Sequence, residues 1–222
     1  MIAKMIALDW RAMKYYQIRV LLLPVFVFIF GVVYSPLTVI PMSVVMSLNF
    51  SLNPFAVEEK GELNNLYLTL PVRRKSIVAG RYILSIIMLL CGIAIGILIM
   101  PLANKLSISK WFIGIEGFIV VISMSYLLYA ILNLFMFPML FRLGYHKGKF
   151  WGFYLPMGFF ALLFGAYLAI THLPENKTLT LNFIVYASEN LLMVSGSIVV
   201  LATMLLILSY MISLKLYSKR DF

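Results

Sequence analysis

Val20–Val57, VLLLPVFVFIFGVVYSPLTVIPMSVVMSLNFSLNPFAV, contains no charged side chain. As one continuous helix it would measure about 57 Å at 1.5 Å per residue, close to twice the roughly 30 Å of a bilayer's hydrocarbon core. The stretch therefore reads as two membrane spans. Proline locks its own backbone and pushes the residue before it out of the helical region, so Ser35-Pro36 is the expected break. Pro41 is the weaker candidate.

Composition agrees with a chain immersed in lipid. Of 222 residues, 63% are hydrophobic and 12% charged, and the mean hydropathy of +1.01 lies far outside the range of soluble domains. No region is long and polar enough to form a separate soluble domain, so residues 1–222 read as a single transmembrane domain. Reading outward from Val20–Val57, further spans are expected at about 83–102, 112–137, 150–170 and 191–214, after a first pair at about 17–34 and 36–57. In the third, Gly92 and Gly96 have the small-xxx-small spacing that lets helices approach closely, read as packing within the subunit rather than a dimer face.

Residues 1–18 come before any span and form an amphipathic pattern. Ile2, Met5, Ile6, Trp10, Met13 and Tyr16 gather on one side of a helical wheel and Lys4, Arg11 and Lys14 on the other. That pattern fits a helix lying on an anionic leaflet rather than a cleaved signal peptide. Asp9 falls on the apolar side and reads as a surface acid on a slightly rotated helix, with contact to a partner subunit as the other reading.

Charge sets the expected orientation. With six spans and a cytoplasmic N-terminus, fifteen of the 18 Lys and Arg fall on the inner side, leaving Lys105, Lys110 and Lys177 outside. The formal net charge of +10 would suggest nucleic acid for a soluble protein. Here it is a topology signal, and no nucleic-acid partner is expected. The expected fold is an all-α membrane protein: six transmembrane helices, an N-terminal interfacial helix, a short cytoplasmic coupling helix, and both termini cytoplasmic.

Chemistry at membrane depth needs ionisable groups despite their cost, and the deep positions offer only Asn49, Asn133, Cys91, serines and threonines. His146 and His172 lie near span ends, as do Glu116 and Glu189. No G-x-S-x-G, HExxH or Walker-A pattern occurs. The chain reads as a non-enzyme without a metal or cofactor of its own, so ATP and Mg, if used, would be bound by a partner subunit.

The densest charge is in the 58–82 loop, EEKGELNNLYLTLPVRRKSIVAGRY. Leu63, Leu66, Tyr67 and Leu70 follow the i, i+3, i+4, i+7 spacing of one helix face. Glu58, Glu59 and Glu62 crowd its start, where the helix dipole favours anions. Pro71 ends it, and Arg73, Arg74 and Lys75 lead to Ser76, the expected cap of the next span. The acids, the apolar face and Arg73 and Arg74 together suit docking to a partner protein in water. A membrane-surface helix with ordinary inside-positive flanks is the other reading of the same residues.

At this loop the chain resembles the bacterial ABC type-2 permeases, particularly the small half-transporters with six spans per chain. The resemblance is carried by Glu59-Lys60-Gly61, by Tyr67-Leu68-Thr69-Leu70-Pro71-Val72-Arg73-Arg74-Lys75-Ser76-Ile77-Val78, and by Gly80-Arg81-Tyr82. The overall pattern looks most like membrane subunits of exporters of phenol-soluble modulins, which are amphipathic peptides. The resemblance implies a bacterial cell-membrane permease paired with a second permease chain, identical or related, and with ABC ATPase subunits that the 58–82 loop contacts. A membrane-anchored peptide-binding or immunity protein, a passive channel and a secondary carrier are the alternatives. No residue is singled out as substrate-binding.

Overall fold

The computed structural model describes residues 6–7, 9–10, 17–60, 74–107, 114–172 and 189–218. Among these there is helix and no strand. We label the helices α1 (Gln17–Val33), α2 (Val39–Ser51), α3 (Asn53–Lys60), α4 (Arg74–Leu106), α5 (Ile115–Leu143), α6 (Tyr145–His172) and α7 (Leu191–Ser218).

The long uncharged stretch divides at Ser35-Pro36. Ser35 is extended, and its hydroxyl accepts a hydrogen bond from Leu37 N, so it caps a 3-10 turn at Pro36–Thr38 that feeds α2. Thr38 Oγ1 donates back to Ser35 O at 2.7 Å. Pro41 lies in the first turn of α2, where a missing N–H costs nothing because it has no partner there in any case. A second, softer break follows at Leu52. Pro54 has no N–H to give, and the ladder shifts to a tighter Phe55 N to Leu52 O bond of 3.1 Å.

Helix pairing follows small residues. Ser43, Ser47 and Ser51 recur every fourth position on the buried face of α2. Each hydroxyl bonds a carbonyl three residues back in its own helix, at 2.8, 2.7 and 2.6 Å, so the serines can be buried without help from a neighbour. Opposite them stand Gly92 and Gly96 of α4. A Cβ on Gly92 would meet Ser47 Oγ at 2.7 Å, and one on Gly96 would meet Ser43 Oγ at 2.6 Å and Ile40 Cα at 3.1 Å. The glycine pair thus serves packing inside the chain. The hairpin of α5 and α6 uses the same device. Gly148 and Gly152 bring α6 against Leu140 and Met136 of α5, and a Cβ on either would stand within 3.0 Å of their Cα atoms. The turn between them is Gly144, at φ 80°, a left-handed conformation that glycine adopts without steric penalty.

The most extensive interface joins α5 to α7, followed by α2 with α4 and α5 with α6, with α1 packed against α4 and α2. Four stretches, Pro36–Glu59, Lys75–Leu106, Ile115–Leu143 and Leu191–Ser218, are long and apolar enough to cross a membrane, and Leu22–Val33 is a shorter apolar helix. Large apolar side chains such as Phe26, Leu90, Leu98, Met193, Met204 and Met211 face outward, as expected where lipid is the solvent.

The helices run past the apolar windows that defined the expected spans. The span expected at 83–102 belongs to a helix beginning by Arg74, so Ser76 sits inside that helix and does not cap it, and residues 74–82 are wall rather than loop. The windows 112–137 and 191–214 extend to Leu143 and Ser218. Arg142 and Lys215 occupy these last turns, where cations suit the helix dipole and long stems reach out of an apolar layer. Asp9 is also corrected. It is buried, only 2% exposed, whereas Trp10 is 48% exposed. Ile6 packs on Leu84 and Met88 of α4.

Candidate functional site

The two stems of the charged loop, α3 and α4, meet at the ion pair of Glu58 with Arg81. On α4 the buried positions recur with the helical period: Ile77 and Val78, then Arg81 and Tyr82, then Leu84 and Ser85, then Met88 and Leu89. Arg81 is therefore carried into the interior by the same periodicity that buries its apolar neighbours. It is 2% exposed and forms an ion pair with Glu58 of α3. Phe55, one turn before Glu58 on the same face of α3, places its ring 4.1 Å from the guanidinium carbon, and Phe141 of α5 lies 5.7 Å from it. Carboxylate and aromatic faces together enclose the cation.

Glu59 points toward a different neighbour. Its carboxylate accepts hydrogen bonds from the backbone N–H groups of Tyr145 and His146, the latter at 3.0 Å. These are the first residues of α6, so an acid from α3 caps the start of another helix, where orphan N–H groups and the dipole both favour an anion. A cleft of about 110 Å³ lies between these contacts, lined by Phe55, Glu58, Glu59, Arg81, Tyr145 and Tyr217 among others.

One turn deeper, neutral polar groups link α4, α5 and α7. Tyr82 OH bonds Ser209 Oγ at 2.7 Å and Ser213 Oγ at 2.8 Å. Ser209 Oγ donates to Asn133 O at 3.1 Å. Asn133 Nδ2 donates to Ser85 Oγ at 3.1 Å, and Tyr129 OH donates to Ser85 O at 2.7 Å. The spacing is helical throughout: Tyr82 and Ser85, Tyr129 and Asn133, Ser209 and Ser213 each share one face of their helix. Around them Tyr82, Phe137, Phe141 and Tyr217 form the main core with Phe55. Among the described residues no three His, Cys, Asp or Glu side chains gather as a metal ion would require.

Of the residues read as a docking element, Glu62, Leu63, Leu66, Tyr67, Leu70 and Arg73 lie outside the described residues, and Arg74 is the first residue of α4. Glu58 and Glu59 lie within α3, Glu58 buried against Arg81 and Glu59 exposed and bonded to the start of α6. Sequence reading missed Arg81 as an interior residue and passed over Tyr82, Ser85, Tyr129, Ser209 and Ser213. The signal for Arg81 was available: it falls on the Val78, Tyr82, Ser85, Leu89 face of α4. Nothing local marks which of the many serines bond across helices.

The described residues form a multi-pass helical membrane protein whose helices are joined by polar groups at one end. The chain belongs to the ABC-2 transporter family: the model of a family described as ABC-2 family transporter protein matches residues 1–218. No curated protein matches the chain, and neither does a solved structure.

Proposed function

We infer that the chain is the permease subunit of a bacterial ABC exporter. It crosses the cell membrane six times with both termini cytoplasmic, and α1 and α6 complete the set begun by the four long apolar stretches. Two such chains, identical or related, form the path. The observation that carries this reading is the match to a transporter family over residues 1–218 in a chain with no phosphate-cradling motif of its own. The energy must then come from ABC ATPase subunits, which bind ATP and Mg.

The residues 62–71 provide the contact to the ATPase through Leu63, Leu66, Tyr67 and Leu70, with Glu62, Arg73 and Arg74 orienting it. In support, the stems of this segment, α3 and α4, meet α5, α6 and α7 at one end of the bundle. The substrate is a hydrophobic or amphipathic peptide of the phenol-soluble modulin kind. This rests on the resemblance of the overall pattern of the chain to membrane subunits of such exporters, and a chain with 14 Met and 17 Phe has adaptable apolar surface for it.

Replacing Leu66 and Tyr67 with Asp tests the docking. The expected result is loss of the ATPase from the affinity-purified chain at unchanged helical content. Unchanged co-purification would overturn the docking reading.

A further inference from the structure

Residues 61–73 join α3 to α4, and three side chains bordering this segment hold the helices around it. Glu58 on one side and Arg81 on the other are 5% and 2% exposed and form an ion pair. Desolvating two charges is costly, and an apolar pair of similar volume often does as well or better for stability. Stability alone therefore gives little reason for this pair. Position gives a better one. Arg81 ties α4 to α3, and Phe141 brings α5 to the same guanidinium. Glu59, the neighbour of Glu58, ties α3 to the first N–H groups of α6, directly after the Gly144 elbow. A cleft of about 110 Å³ lies between these contacts. Behind the clamp lies the interrupted ladder at Leu52 and Pro54, where proline removes a hydrogen bond from the α2–α3 rod.

We propose that Glu58, Glu59 and Arg81 are positioning residues of the transport cycle. They lock α3, α4 and the α5–α6 elbow into one body, so that a load applied at 61–73 reaches α5 and α6 instead of bending the chain at Leu52–Pro54. The proposal rests on the reading of the chain as an ATP-driven permease.

Cys91 is the sole cysteine, so Cys91→Ser provides a clean background for paired spin labels at Lys75→Cys and Lys147→Cys, both exposed. Distances are measured by pulsed electron resonance in nanodiscs, for the chain alone and with the co-purified ATPase subunit, ATP and vanadate. The labelled chain should give a narrow distribution that shifts on nucleotide trapping. Glu58→Leu with Arg81→Met keeps the site filled and folded without charge. It should double the width of the distribution and cut the shift to less than half, with the ATPase still bound. Glu59→Gln should broaden it as well, and the exchanged pair Glu58→Arg with Arg81→Glu should recover at least half of the shift. A wild-type width and shift in the apolar double variant would overturn the proposal and leave the permease reading standing. Failure of the labelled chain itself to bind any ATPase would overturn the permease reading, and this inference with it.

Discussion

The α2–α4 seam and the α4–α5–α7 seam bury hydroxyls in opposite ways. In the first, Ser43, Ser47 and Ser51 satisfy themselves within α2, and Gly92 and Gly96 supply a groove that fits them. The three hydroxyls bond within α2 and not to α4. In the second, Tyr82, Ser85, Tyr129, Asn133, Ser209 and Ser213 bond across three helices. Lipid offers little hydrophobic drive for helix association, so contact must come from shape or from interhelical hydrogen bonds. The first seam uses shape, which tolerates sliding along the groove. The second uses directional bonds, which specify one register. The two meet on α4, whose one face carries Gly92 and Gly96 and whose other end carries Tyr82 and Ser85.

The sharpest way to break this contrast is to fill the groove. Leu at Gly96 would drive a side chain into the backbone of α2 at Ile40, 3.1 Å from the added Cβ. Overpacking of this kind costs about 3 kcal/mol. A clear fall in the thermal unfolding midpoint of the detergent-solubilised chain is expected. A midpoint equal to wild type would mean that α2 and α4 are not held by shape at this point.

The legible part of the fold was the part written in apolar length and in proline. Ser35-Pro36 marks a division because proline acts on its own backbone, whatever surrounds it. Helix ends were harder to place. Arg142 and Lys215 look like the edges of spans in a hydropathy window but lie within helical last turns, since charge interrupts burial in lipid without interrupting helix. The candidate site was legible as a place and not as a set of partners. Glu58 and Glu59 drew attention as a cluster of acids in water, yet an acid's surroundings depend on what the fold brings to it, here Arg81 from 23 positions away and the start of α6 from 86. The neutral network was invisible for a related reason: a serine that bonds its own helix and one that bonds its neighbour have the same sequence context.

A smaller effect tests the directional seam. Tyr82→Phe removes the hydroxyl that joins Ser209 and Ser213 and leaves the ring against Phe137 at 4.9 Å. Interhelical hydrogen bonds in membranes average about 0.6 kcal/mol each, so the loss should be about 1 kcal/mol by steric-trapping measurement. Ser209 retains its bond to Asn133 O, which limits the damage. A loss as large as that of Gly96→Leu would show that the tyrosine hydroxyl governs more than local register.

The smallest effect is expected at Ser47→Ala, and it distinguishes the seams most directly. Ser47 is 4% exposed, a burial at which losing a polar group usually leaves some partner unsatisfied. Its hydroxyl donates only to Val44 O, a carbonyl inside the regular turns of α2, and no atom of α4 depends on it. Alanine keeps the Cβ that fits over Gly92 and removes an oxygen that the groove does not use. The change should stay within about 0.5 kcal/mol by the same steric-trapping measurement, since no buried group is left unpaired. A loss of the size expected for Tyr82→Phe would mean that the Ser47 hydroxyl does reach across to α4, and the distinction between a seam held by shape and one held by bonds would fail there.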